Sequence, residues 1–170
     1  MSALRACGLA VMLVAALILQ VTVLPYATVA GVAPNLVLVV VVACALARGP
    51  EFGASVGFVA GLLMDLAPPA DHVAGRWALA LVLVGFLAGR VRHDAHHSVL
   101  ARLVTVAACS FVGASIYAMS GVFLEDHTWP MSEMLQVVGV SVVWDVLMAP
   151  IVLPLVAAAL LRLRGPQAAY

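Results

Sequence analysis

The sequence predicts an all-α fold: a bundle of six transmembrane helices that forms one integral membrane domain over residues 1–170. Of the 170 residues, 65% are hydrophobic and only 9% are charged, whereas about 25% of a typical soluble domain is charged. The mean hydropathy is +1.17, and long apolar runs alternate with short polar breaks. One core of this size cannot hide so many apolar side chains, so lipid is the expected solvent for much of the chain.

The first apolar run, about residues 4–24, begins beside Arg5. A signal peptide is the alternative interpretation, because Ala27-Thr28-Val29-Ala30 loosely resembles a cleavage site with small residues. The run is about 20 residues long, however, whereas a signal core usually has about 7–15. We therefore predict an uncleaved helix.

Prolines, glycines and charges mark the ends of the later spans. Arg48-Gly49-Pro50 ends the second span with a cation, a C-cap glycine and a proline. Pro68-Pro69 ends the third, and Pro150 and Pro154 are expected to kink or divide the last and longest span. The six predicted spans cover about residues 4–24, 34–47, 52–67, 74–89, 100–123 and 134–161.

Glycines recur every four residues in the third span, at Gly53, Gly57 and Gly61. This spacing places them on one helix face. Because each glycine costs a helix about 1 kcal/mol, three on one face indicate a close helix contact of the small-xxx-small kind. Gly85 and Gly89 form a second such pair in the fourth span. Ordinary bundle packing and a seam for a partner helix both remain open.

Two carboxylates, Asp65 and Asp145, fall inside the predicted membrane region, where each must face protein, water or a partner charge. Asp65 is expected to pair with Arg76 and so to join the third and fourth helices. Asp145 is expected to be protonated or bonded to a hydroxyl such as Ser141, one turn away on the same face. The functional alternative for both carboxylates is a proton or cation relay, or the lining of a polar pocket.

Six spans would place both termini on one side of the membrane. If that side is the cytoplasm, seven arginines lie inside and only Arg76 lies outside, which fits the positive-inside rule. The inner arginines are Arg5, Arg48, Arg90, Arg92, Arg102, Arg162 and Arg164. The outer acids are Asp71, Glu125, Asp126 and Glu133.

Nothing in the sequence indicates catalysis, a cofactor or a nucleic-acid partner. The three cysteines lie in apolar runs and lack the spacing of a zinc site or a disulfide framework. His93, His96 and His97 could bring two imidazoles near a metal, but no cysteine or glutamate completes a site. We therefore predict a solvated loop there and no metal. There is no basic tail and no interleaving of basic and aromatic residues.

Three segments carry a family resemblance: Pro34-Asn35-Leu36, the run from Gly57 to Leu66, and Gly75–Leu79 leading to Gly85-Phe86. With these segments the chain resembles the rod shape-determining MreD family of bacteria. Length, number of spans and short loops agree with that family over the whole chain.

The resemblance implies a non-catalytic scaffold of the cell-elongation machinery in the bacterial plasma membrane, acting with MreC, the actin-like MreB, the glycosyltransferase RodA and a penicillin-binding transpeptidase. It also implies a fold like the substrate-binding subunits of energy-coupling-factor vitamin transporters. The alternatives are therefore a small-ligand-binding subunit of such a transporter, or a proton-coupled carrier. Few aromatic residues and short outer loops favour the scaffold, since a ligand pocket needs a polar and aromatic lining.

Overall fold

The computed structural model describes residues 3–68, 73–96, 98–123 and 131–163. The described chain is almost entirely helical, which confirms the all-α prediction. A short 3₁₀ turn, Leu24–Tyr26, follows the first helix. The α-helices are α1 (Ala3–Thr22), α2 (Leu36–Arg48), α3 (Pro50–Leu66), α4 (Arg76–Arg90), α5 (Arg92–His96), α6 (Val99–Phe123) and α7 (Met131–Arg162). Several residues used in the sequence predictions lie outside the described residues: the helix end at Pro69, the outer acids Asp71, Glu125 and Asp126, the histidine His97 and the inner arginine Arg164.

The six longer of these helices overlap the six predicted spans, but they differ in length. Three described segments are long and apolar enough to cross a membrane: Arg5–Tyr26, Val99–Gly121 and Ser132–Arg162. By contrast, α2, α3 and α4 have 13, 17 and 15 residues, or about 20–26 Å at 1.5 Å per residue. A bilayer core is about 30 Å thick. The fold is thus that of a membrane helical protein, and crossing by all six helices stays a prediction.

The shortest of the six, α2, lies at the centre of the bundle. Every residue from Leu36 to Leu46 is buried, and α1, α3, α4, α6 and α7 all pack against it. Its run of valines and leucines is apolar on every side, as expected of a helix surrounded by other helices. It ends at Gly49, which adopts φ 100°. Because neighbouring helices shield it, α2 does not need the length of a helix that faces lipid.

The longest helix, α7, is continuous through Pro150 and Pro154. The prolines therefore do not divide the last span, and the alternative expectation, that they kink it, stays a prediction. The two prolines are four residues apart and both exposed, so the backbone hydrogen bonds that they remove lie on one outer face. The opposite face keeps its hydrogen bonds and its packing.

Contacts between helix ends show that the bundle has two distinct ends. At one end Leu163 lies beside Gly8, and Arg92 lies beside Gly49. At the other end Gln20 bonds to Pro34 across the link between α1 and α2. The described arginines at the termini of the first end are Arg5, Arg48, Arg90, Arg92, Arg102 and Arg162. Arg76 begins α4 at the opposite end.

Candidate functional site

The three glycines of α3 pack directly on the backbone of α4, and we call this contact the glycine seam. A Cβ added to Gly57 would overlap the carbonyl oxygen of Leu81. A Cβ on Gly61 would lie 2.5 Å from the amide nitrogen of Ala78, closer than real Cβ atoms approach. The two helices can approach this closely only because no side chain lies between them.

The glycines of α4 complete the glycine seam from the other side. Gly85 and Gly53 face each other so closely that a Cβ on either would overlap the carbonyl oxygen of the other. Gly89 lies against Pro50 at the end of the seam. All five glycines singled out in the sequence therefore lie in the contact between α3 and α4. In this structure the glycine face of α3 is covered by α4 and is not open to a partner helix.

Asp65 supplies a cap to α4. Its Oδ2 accepts hydrogen bonds from the amides of Gly75 at 2.9 Å and Ala78 at 3.0 Å, and its Oδ1 accepts from the amide of Trp77 at 3.1 Å. α4 has no side-chain cap of its own, because Gly75 occupies the N-cap position. The first amides of a helix lack partners within it and carry partial positive charge. A carboxylate from α3 satisfies them here.

Arg76 joins α4 to α6. Its guanidinium lies 4.1 Å from the ring centroid of Tyr117, and it donates to the Tyr117 carbonyl at 2.8 Å and the Ser120 hydroxyl at 3.1 Å. Gly121 leaves room for it, since a Cβ there would lie 2.5 Å from the arginine Nη2. Trp77 stacks on the same Tyr117 ring. The predicted Asp65–Arg76 ion pair stays a prediction, and backbone amides of α4 already link Asp65 to that helix.

Asp145 has no exposed surface and caps the central helix. One of its oxygens accepts the Asn35 amide at 2.8 Å, and the other accepts the Ser110 hydroxyl at 2.6 Å. Among the described residues, the hydroxyl that donates to Asp145 thus belongs to Ser110 of α6, whereas the sequence predicts protonation or a hydroxyl such as Ser141 of α7. Sequence spacing reports neighbours along one helix and contains no signal for a serine from a different helix.

Two amide side chains complete the cap of α2. The Asn35 side chain accepts from the amide of Leu38 at 3.0 Å. Gln20 of α1 accepts from the amide of Leu36 at 2.7 Å and donates to the carbonyl of Pro34 at 2.9 Å. Gln20 is not among the residues predicted from the sequence, although a glutamine near the end of an apolar span is a usable signal. Groups from α1, α6 and α7 thus meet at the first turn of α2.

The chemistry of these sites is helix capping. Asp65 and Asp145 lie at two separate helix N-termini and accept hydrogen bonds from the protein. The described part of the chain contains no group of three or more His, Cys, Asp or Glu side chains able to hold a metal ion.

The apolar helices, the buried polar caps and the tight glycine seam define the class of protein: a membrane-embedded helical bundle. A family model described as rod shape-determining protein MreD matches residues 2–159. The chain therefore belongs to the MreD family, which confirms the resemblance in its sequence, and it is a membrane protein concerned with cell shape. No curated protein and no solved structure matched the chain.

Proposed function

We propose that the protein is a non-catalytic scaffold of the bacterial cell-elongation machinery that supports lateral peptidoglycan synthesis. In this proposal the bundle docks the membrane helix of an MreC-like partner and, through it, acts with RodA, a penicillin-binding transpeptidase and MreB. It crosses the plasma membrane several times, with both termini in the cytoplasm, in a fold like that of energy-coupling-factor substrate-binding subunits. The family match is the observation that carries the proposal.

The internal contacts support a rigid docking body over a transporter or carrier. A vitamin-binding subunit needs a pocket lined by polar and aromatic groups, but Arg76, Tyr117 and Trp77 are joined in a contact between α4 and α6. A proton-coupled carrier needs carboxylates that change partners. Asp65 and Asp145 instead satisfy the amides that begin α4 and α2.

Because α4 covers the glycine face of α3 in the glycine seam, the partner helix must dock on another face of the bundle. Gly139 of α7 is exposed, and a Cβ there would meet no atom of the described residues within 4 Å. Three large exposed side chains follow it along one helix face, at Val143, Leu147 and Ile151. A glycine costs a helix about 1 kcal/mol, and among the described residues no neighbour requires one here. We assign the docking of the partner helix to this face of α7.

The test is co-purification from native membranes in mild detergent, with mass spectrometry of the proteins that accompany the tagged chain. The wild-type protein is expected to retain wall-synthesis proteins, and Gly139→Leu is expected to lose the MreC-like partner while the bundle stays folded. Ala108→Leu, at an exposed position of α6, is the matched control and should retain it. An ATPase module with a bound vitamin in the eluate would instead establish the transporter alternative.

A further inference from the structure

A cleft opens between α2, α5, α6 and α7 at the end of the bundle that carries most arginines. Its cavity volume is about 90 Å³, smaller than the roughly 300–1,000 Å³ of sites that enclose a whole small molecule. Arg92 of α5 and Arg102 of α6 are its charged members, and Ala43, Ala47 and their neighbours supply an apolar lining. We call it the basic cleft. Its lining contains no residue of the glycine seam and none of the groups that cap α2 and α4.

The two arginines give the rim of the basic cleft a positive charge. Arg92 is half-buried, and its Nη1 lies 3.1 Å from the position of a Cβ on Gly49, at the end of α2. Arg102 is exposed one turn into α6. Two guanidinium groups on neighbouring helices repel each other unless an anion lies between them. Planar guanidinium donors match the oxygens of a phosphate in particular.

The floor of the basic cleft continues away from the arginines into the apolar part of the bundle. Ala43 lies five residues before the end of α2 at Arg48, and Leu153 lies nine residues before the end of α7 at Arg162. At 1.5 Å per residue these positions are about 8 and 14 Å from the helix ends. Ala43 and Leu153 are both buried. A free anion would gain nothing from this apolar floor, but a hydrocarbon chain would.

We propose that the basic cleft binds an anionic phospholipid, with its phosphate between Arg92 and Arg102 and an acyl chain on the alanine and leucine floor. Basic pockets between membrane helices commonly bind phospholipid headgroups. The small side chains of Ala47 and Ala157 keep the floor open. The bound lipid joins α5 and α6 to α2 and α7. The proposal is independent of which protein partners the bundle docks.

Native mass spectrometry of the full-length, delipidated protein tests this proposal. We add phosphatidylglycerol or phosphatidylcholine with the same acyl chains and count bound lipids. The protein is expected to retain one phosphatidylglycerol at least about tenfold more strongly than phosphatidylcholine. Both lipids carry a phosphate, but the choline cation of phosphatidylcholine is repelled by the two arginines. Excess inorganic phosphate should not displace the bound phosphatidylglycerol, because phosphate lacks the acyl chain.

Variants locate the lipid in the basic cleft. Arg102→Gln, at an exposed position, should reduce the preference for phosphatidylglycerol, and Ala157→Leu should lower retention by filling the floor. Ala158→Leu, exposed beside it on α7, and Arg90→Gln are the controls and should change neither. Circular dichroism of each variant is the check that its helix content is unchanged. Equal retention of both lipids, displacement by inorganic phosphate, or equal effects of test and control variants would overturn the proposal.

Discussion

At the scale of single residues, the buried carboxylates show how polar groups are placed in an apolar protein. Asp65 is 3% exposed and Asp145 is fully buried, positions at which a charge without partners is very costly. Each lies at the first turn of a helix that needs acceptors for its free amides. A carboxylate and a helix N-terminus therefore satisfy each other's need for hydrogen bonds, and each pair joins two different helices.

Replacement of Asp65 by alanine should weaken the link between α3 and α4. Three amides would lose their acceptor, and each buried unsatisfied donor costs about 1–3 kcal/mol. The expected result is a clear drop in the thermal midpoint of the purified protein in detergent. Asp94→Ala, at an exposed position of α5, is the control for loss of a carboxylate. Equal midpoints for Asp65→Ala and the wild type would contradict the capping role.

At the scale of helices, α2 and the glycine seam explain why three helices can be short. α2 is surrounded by its neighbours, and α3 and α4 touch along their backbones at Gly57 and Gly85. Close backbone contact increases dispersion attraction over the whole length of a helix pair. This compensates for the low helix propensity of glycine in the seam.

Gly57→Leu should separate α3 from α4, since its Cβ would overlap the Leu81 carbonyl and backbone cannot yield as a flexible side chain can. Overpacking usually costs about 1–3 kcal/mol, and a backbone clash should reach the upper part of that range. Thermal unfolding in detergent measures the change. Gly139→Leu is the matched control, because the same substitution there meets open space. Similar destabilisation by both variants would show that the seam contact is not the cause.

At the scale of the whole molecule, charge is distributed unequally between the two ends of the bundle. Arg5, Arg48, Arg90 and Arg162 lie near helix termini at one end, and Arg76 begins α4 at the other. Arginine flanks are retained in the cytoplasm during membrane insertion. The arginine-rich end is therefore expected to face the cytoplasm together with both chain termini.

Single cysteines test this orientation. Ser98→Cys at the arginine-rich end and Ser132→Cys at the start of α7, both exposed, are introduced into a chain whose native cysteines are replaced. A membrane-impermeant maleimide added to spheroplasts is expected to label position 132 at once and position 98 only after permeabilisation. The cysteine-free chain provides the background. The reverse pattern would invert the orientation, and labelling of both positions in intact spheroplasts would refute the predicted topology.

The sequence by itself determined the all-α class, the approximate helix positions and the family, because these depend on local composition, on periodicity and on residues that are neighbours along one helix. The spacing of Gly53, Gly57 and Gly61 indicated a close contact, and the depth of Asp65 and Asp145 indicated buried partners. All of this can be read from one segment at a time.

Only the tertiary structure decided which surfaces and atoms these residues meet. The glycines of α3 meet the backbone of α4. The hydroxyl of Ser110, and not that of Ser141, donates to Asp145. Gln20 accepts a hydrogen bond from the first turn of α2. Every one of these contacts joins different helices. In a chain this apolar, many helix pairings satisfy the hydrophobic pattern equally, so pairing is settled by backbone fit and by buried hydrogen bonds that no single segment contains.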